Sequence, residues 1–121
     1  MRPHEKLVVW GKSIELVVKI YKFTKKFPDS EKFGLAQQMK RASVSIPSNI
    51  AEGAARKGRK EFIYILYSSL GSLSELETQI LIGYKLGYID NDSYNELKKD
   101  TGVIGMLLFG LIKERKIVKS E

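Results

Sequence analysis

Four cations lie within five residues near the middle of the chain. The stretch "GAARKGRKEF", residues 53–62, carries Arg56, Lys57, Arg59 and Lys60. Closely spaced Lys and Arg side chains on a surface are typical of sites that contact phosphate groups. These four residues are therefore our candidate nucleic-acid-binding site. The alternative interpretation is a solvated charged loop that binds nothing.

The sequence lacks the residues that the common kinds of catalytic site require. The two glycines of this stretch have the spacing of a phosphate-binding loop, but Arg follows Gly58 where Lys is needed, no Ser or Thr comes next to hold magnesium, and no strand precedes it. His4 is the only histidine and cysteine is absent, so a metal cluster or a histidine-based triad has no residues to form from. We predict that the protein is not an enzyme and has no metal and no cofactor.

The length and composition predict one globular domain, and the net charge predicts an anionic partner. Of 121 residues, 43% are hydrophobic and 29% are charged, which is ordinary for a folded domain of this length. Twenty-one Lys and Arg against fourteen Asp and Glu give a formal net charge of +7, which favours nucleic acid as a partner. We expect one domain over residues 1–121, with frayed ends at 1–5 and 118–121.

No segment predicts insertion into a membrane or secretion. The longest uncharged run, residues 103–112, is about half the length that a bilayer requires. Charges at Lys12 and Glu15 interrupt the N-terminal stretch, which therefore lacks a secretory pattern. The sequence contains no cysteine, so it has no disulfide that would indicate an oxidising compartment. We therefore expect a cytoplasmic protein with no membrane partner.

Apolar residues recur at helical spacing in four segments, and no segment alternates with a period of two. We predict helices at residues 6–26, 31–52, 59–86 and 91–117. The predicted core stripes, in chain order, are Leu7, Trp10, Ile14, Val17 and Tyr21; Leu35, Met39, Ala42, Ile46 and Ile50; Phe62, Leu66, Ser69, Leu73, Leu76 and Ile80; Leu97, Ile104, Leu108 and Leu111. Four such helices with short connections predict an all-α, up-down-up-down antiparallel four-helix bundle.

The second helix carries residues that interrupt helices. Pro47 has no N–H and its ring crowds the preceding turn, which predicts a kink there. Gly53 is suited to a left-handed C-cap that ends the helix, and Gly58 to the N-cap of the next helix. The basic stretch would then be an exposed corner at one end of the bundle.

Further apolar residues lie beside the predicted stripes, so apolar residues cover more than the roughly three-sevenths of a helix surface that a monomeric bundle buries. These residues are Val9, Val18, Ile20 and Phe23; Ile63, Ile65, Leu70 and Ile82; Val103, Met106, Leu107 and Phe109. We expect a homo-oligomer that packs through a second helical face. The alternative is a generous core with scattered apolar residues on its surface.

Residues 27–89 resemble the four-helix-bundle family named for open reading frames in 23S ribosomal RNA intervening sequences. The matching motifs are F-P-x-x-E-x-F-G-L, R-A-x-x-S-I-P-x-N-I-A-E-G, K-E-F and G-S-L-x-E-L-E-T-Q. Members are similar to the accessory protein of diversity-generating retroelements, a ring of five bundles that binds nucleic acid through a basic surface and assists a reverse transcriptase. The resemblance implies a homopentamer with a nucleic-acid role and no enzymatic activity. Gly58 departs from the Ser that the family usually has at that N-cap.

The family motif also contains polar residues with two interpretations. As structural residues, Asn49 and Glu52 would bond backbone N–H groups exposed at the helix end, and Arg41 would pair with Glu75 or Glu77. As functional residues, Arg41, Asn49 and Glu52 would form a binding site. We favour the structural role.

Two functions are consistent with this sequence. The first is a non-enzymatic homo-oligomer that binds RNA or DNA, as an accessory to a reverse transcriptase or another RNA-associated element. The second is a protein-interaction scaffold whose basic charge serves only solubility. Nucleic-acid affinity would fall steeply with salt, because binding releases counterions, whereas an apolar interface would hardly respond.

Overall fold

The computed structural model describes residues 1–117, and four α-helices contain most of them. These are α1 (Val8–Thr24), α2 (Leu35–Ala55), α3 (Arg59–Lys85) and α4 (Asn91–Ile117). Two short 3₁₀ helices, Pro3–Lys6 and Asp29–Glu31, precede α1 and α2, and no residue among 1–117 is in a strand. The predicted all-α fold is confirmed.

The helices pack in chain order around a single core. α2 packs most extensively against α3, α1 packs on α2, α3 packs on α4, and α1 also contacts α4 and so closes the bundle. Because the chain runs up and down, one end of the bundle holds the starts of α1 and α3 and the ends of α2 and α4. We call this the corner end (residues 2–10, 50–62 and 110–117) and the opposite one the far end (residues 20–35 and 82–96).

The core stripes predicted for α2, α3 and α4 are confirmed. All six predicted positions of α3 are buried, and so are Met39, Ala42, Ile46 and Ile50 of α2. In α4 the buried residues are Leu97, Thr101, Ile104, Leu108 and Ile112, with Leu111 partly buried. These three helices bury apolar positions that repeat every three or four residues, which is why their pattern could be interpreted correctly.

The stripe predicted for α1 is wrong. Ile14 and Tyr21 are 40% and 43% exposed. The buried face is instead Val9, Ser13, Leu16, Ile20 and Thr24. The Ser13 hydroxyl donates to the Val9 carbonyl at 2.7 Å, and the Thr24 hydroxyl donates to the Ile20 carbonyl at 2.8 Å. A hydroxyl that bonds a carbonyl of its own helix needs no other partner. Two polar residues can therefore occupy core positions, and the apolar pattern of the sequence does not reveal the buried face.

α2 passes through Pro47 without a break and ends at Ala55, so the predicted kink is not confirmed. Pro47 is buried, and the buried Ser69 hydroxyl of α3 donates to the neighbouring Ile46 carbonyl at 2.7 Å. A proline inside a helix costs about 3 kcal/mol. Packing against α3 offsets that cost and keeps the helix continuous.

The assignment of Gly53 as a left-handed C-cap is also wrong, because Gly53 lies inside α2 and only Gly87 has a positive φ within residues 1–117. A Cβ atom at Gly53 would lie 2.8 Å from Phe62 Cδ1 and 3.2 Å from Ile65 Cβ. Glycine is therefore required here by the close approach of α3. The first turn of α3 consequently lies directly against the last turns of α2.

The predicted fraying of the two chain ends can be compared with the structure only at the N-terminus. Residues 1–5 were predicted to fray, whereas the 3₁₀ helix Pro3–Lys6 contacts both α1 and α2 in the structure. His4 packs edge-on against Trp10, with ring centroids 4.9 Å apart. This contact fixes the N-terminal segment at the corner end. The predicted fraying of residues 118–121 lies outside the described residues.

Replacing Gly53 with alanine should destabilise the fold by about 1–3 kcal/mol, because the added methyl overpacks the contact between α2 and α3. Gly110→Ala is the matched control, since a Cβ at this helical position meets nothing within 4 Å. The control should be neutral or should stabilise the fold by up to about 1 kcal/mol through helix propensity. Urea unfolding measures both variants, and equal stability of the two would contradict the packing role of Gly53.

Candidate nucleic-acid interface

The basic corner is built from the end of α2, a three-residue connection and the start of α3. Gly58 is the N-cap of α3, as predicted, with φ −88° and ψ 136°. Lys57, Arg59 and Lys60 are all exposed. The extended backbone at Gly58 turns the chain sharply from α2 into α3, and the three cations lie on the outside of this turn.

Arg56 differs from the other three cations because two carboxylates hold it. Its Nη2 lies 2.8 Å from Glu52 Oε2, and its Nη1 lies 3.3 Å from Glu61 Oε2. The hydrogen bond that Arg56 donates to Glu52, together with the negative charges of Glu52 and Glu61, raises the pKa of Arg56. Its charge is therefore matched by carboxylates of α2 and α3, and the two ion pairs bridge the end of α2 and the first turn of α3.

Arg115 of α4 joins the corner, although sequence reasoning missed it. Its guanidinium carbon lies 5.2 Å from the centre of the Phe62 ring. Together with Arg56, Lys57 and Arg59, it lines a hollow of about 250 Å³ to which no acidic residue contributes. The antiparallel order of α3 and α4 could have indicated this placement, because it brings the end of α4 to the start of α3.

Lys60 lies on the other side of the corner, in a groove between α2 and α3. The groove has a volume of about 520 Å³ and also contains Tyr64 and Ser68 of α3 and Asn49 of α2. Arg56 lines both the groove and the hollow. The structure therefore brings all four predicted binding residues to one end of the bundle and divides them between two concave surfaces.

The predicted structural residues have partners other than those expected. Glu52 bonds Arg56 rather than a backbone N–H. Asn49 Nδ2 donates to Ser45 Oγ at 3.1 Å, and Ser45 Oγ lies 2.9 Å from Ser72 Oγ of α3. Because α2 continues to Ala55, Asn49 lies inside the helix and not at its end.

Arg41 is exposed on α2 and forms no ion pair with any residue among 1–117. The predicted pair with Glu75 or Glu77 is therefore wrong. Arg41 is 15 residues from the start of the basic corner, about 22 Å along a helix. Its position does not place it in the corner site.

The two ends of the bundle differ strongly in charge. The corner end contains nine Lys and Arg against four Asp and Glu, whereas the far end contains five of each. The two groups of residues are almost equal in length, so the net positive charge of the bundle ends is concentrated at the corner. Attraction for polyanions should follow the same distribution.

Two other kinds of site are absent from the described part of the chain. No group of three or more His, Asp or Glu side chains is arranged to hold a metal ion. No helix has the length and apolar character to cross a bilayer.

Comparisons with known proteins agree with the fold. The family model described as "23S rRNA-intervening sequence protein" matches residues 5–110. A solved structure from Bacteroides thetaiotaomicron, a protein of unknown function from the S23 ribosomal protein family, is 31% identical and superposes with a TM-score of 0.81. The match covers 88% of this chain and 96% of that one. No curated protein matches the sequence.

Proposed function

The chain belongs to the 23S rRNA-intervening sequence protein family, and from this premise we propose that it is a non-enzymatic nucleic-acid-binding protein that uses the corner end of its bundle. The observation that carries the proposal is the excess of nine basic over four acidic residues at that end, against an equal number at the far end. A polyanion would meet its strongest attraction there.

The arrangement of the cations suits a phosphate backbone. Lys57, Arg59 and Lys60 are exposed, so each can approach a phosphate without breaking an internal ion pair. Arg115 adds a fourth cation at the edge of the hollow. Contacts of this kind recognise charge and carry little sequence information, so binding should depend weakly on sequence.

The proposal includes a homo-oligomer in the cytoplasm, most simply the ring of five that the family resemblance implies. Apolar side chains that a monomer leaves in water support it. Ile14, Val18 and Tyr21 lie on one face of α1, and Met106 and Phe109 of α4 are 73% and 60% exposed. A ring would repeat the basic corner around one assembly and could present it to a template used by a reverse transcriptase.

A protein-interaction scaffold is the second candidate function. The observation that favours it is a groove of about 630 Å³ between α3 and α4, lined by Tyr67, Leu70, Met106 and Phe109. Exposed apolar patches of this kind often mark protein interfaces. Under this alternative the basic corner would contribute only solubility, and salt would have little effect on partner binding.

Replacing Lys57, Arg59 and Lys60 with glutamine should weaken binding of a single-stranded oligonucleotide by at least about tenfold and flatten its salt dependence, since each lost phosphate contact removes about 0.7 from the log–log slope. Arg56 is left in place because its charge is matched by Glu52 and Glu61. Fluorescence anisotropy at several salt concentrations measures both quantities.

The matched control replaces three exposed lysines of the far end, Lys22, Lys25 and Lys32, with glutamine. It removes the same charge, so long-range attraction falls equally in the two variants. We expect the control to bind more tightly than the corner variant and to keep a steeper salt slope. Equal loss in both variants would show that only total charge matters and would refute the corner site.

The assembly should elute with a mass about five times the 13.8 kDa of one chain, because the exposed faces of α1 and α4 bury apolar surface in the ring. Light scattering on the eluting peak at micromolar concentration measures this mass. A mass of one chain would contradict the homo-oligomer, and another closed number would correct only the count of subunits.

A further inference from the structure

Two tyrosines lie on the outer face of α3, directly after the basic corner. Tyr64 is 74% exposed and Tyr67 is 45% exposed. Residues three apart on a helix share a face, and the two positions are separated by about 4.5 Å along the helix axis. Tyr64 lines the groove between α2 and α3, and Tyr67 lines the groove between α3 and α4, so the two rings lie on the two sides of this face at the edge of the corner.

Tyr64 is unlike every other tyrosine of the chain. Tyr84 and Tyr94 stack on each other, with ring centroids 4.3 Å apart. Tyr88 donates to Glu31 and packs on Phe27, while Tyr21 and Tyr67 each have a lysine over the ring. Within residues 1–117 the Tyr64 ring has no aromatic neighbour, no cation over it and no hydrogen bond. A largely exposed aromatic ring with none of these partners can take a stacking partner.

Cations flank the pair on both sides. Lys60 lies one helical turn before Tyr64 and lines the same groove. On the other side, the Lys116 ammonium of α4 donates to the Tyr67 hydroxyl at 2.9 Å and lies 5.3 Å from the ring centroid. An aromatic surface between two cations is the arrangement by which proteins bind single strands, with phosphates on the cations and bases on the rings.

The charges within the groove also suit bases rather than phosphates. Glu52 and Glu61 line the groove with Arg56 and Lys60, so its charged residues balance. The acid-free hollow on the other side of Arg56 is where phosphates are attracted most strongly. A strand that crosses the corner can thus place phosphates towards the hollow and the exposed cations, and bases towards Tyr64.

We propose that Tyr64 and Tyr67 form a stacking platform for the bases of single-stranded RNA or DNA. This inference rests on the proposed function and names its ligand class. Bases in a duplex already stack on each other and cannot expose their faces to a ring, so the platform distinguishes single strands from duplexes. Sequence preference remains small, because every base has an aromatic face.

The test compares Tyr64→Ala and Tyr67→Ala with the parent on two ligands, a 15-nucleotide strand and an abasic strand of the same length. Each alanine variant should bind the normal strand at least about fivefold more weakly, the lower limit for loss of one stacked base. Both should bind the abasic strand as well as the parent does. Tyr64→Phe should keep parental affinity, because stacking requires the ring and not the hydroxyl.

Phe33→Ala is the matched control, since Phe33 is 81% exposed at the far end of the bundle, with the Lys32 ammonium 5.6 Å from the centre of its ring. It should bind both ligands like the parent. Circular dichroism and light scattering check that fold and assembly are unchanged in all variants.

Three outcomes would overturn the platform. If the alanine variants bound the normal strand like the parent, or if they lost the abasic strand equally, the rings would not stack on bases while the corner site would stand. If they changed the mass of the assembly instead, the rings would belong to a protein interface. A parent that bound neither ligand would overturn the platform and the proposed function together.

Discussion

The close approach of α2 and α3 determines the geometry of the corner end. At Gly53 the two helices come so near that a methyl group would collide with Phe62, and at Ser69 a buried hydroxyl bonds the backbone of α2 beside Pro47. The Gly53 contact holds the end of α2 against the start of α3, the Ser69 bond joins the two helices nearer their middle, and only residues 56–58 connect them. A connection of three residues is too short to bury its side chains, so its cations remain on the surface of the bundle.

Electrostatics then distinguishes cations that support the corner from cations that can bind. Arg56 forms ion pairs with Glu52 of α2 and Glu61 of α3, so two carboxylates would compete with a phosphate for its guanidinium. Lys57 and Arg59 keep their charge available, and Arg115 reaches the same end from the last turns of α4. Runs of basic residues in a sequence do not reveal this division, because the carboxylates that pair with Arg56 lie on two different helices.

Sequence patterns predicted the bundle well because α2, α3 and α4 bury apolar residues at regular spacing. They failed in α1, where Ser13 and Thr24 occupy core positions and satisfy their hydroxyls within the helix. The prediction of a C-cap at Gly53 also failed. Capping rules consider one helix alone, whereas glycine is required at this position by the close approach of a second helix. The antiparallel order of α3 and α4 could have placed Arg115 at the corner, whereas the groove around Tyr64 depends on contacts between α2 and α3 that the sequence does not show.

Hydrogen–deuterium exchange of the protein with and without a single-stranded oligonucleotide tests the central claim most directly, since it locates the bound surface without altering any residue. We predict slower exchange at residues 56–60, whose backbone amides lie at the turn and the first turn of α3, where helical hydrogen bonds protect them least. Residues 25–34 at the far end, also rich in lysine, should be unchanged. Protection of 25–34 without protection of 56–60 would contradict the account.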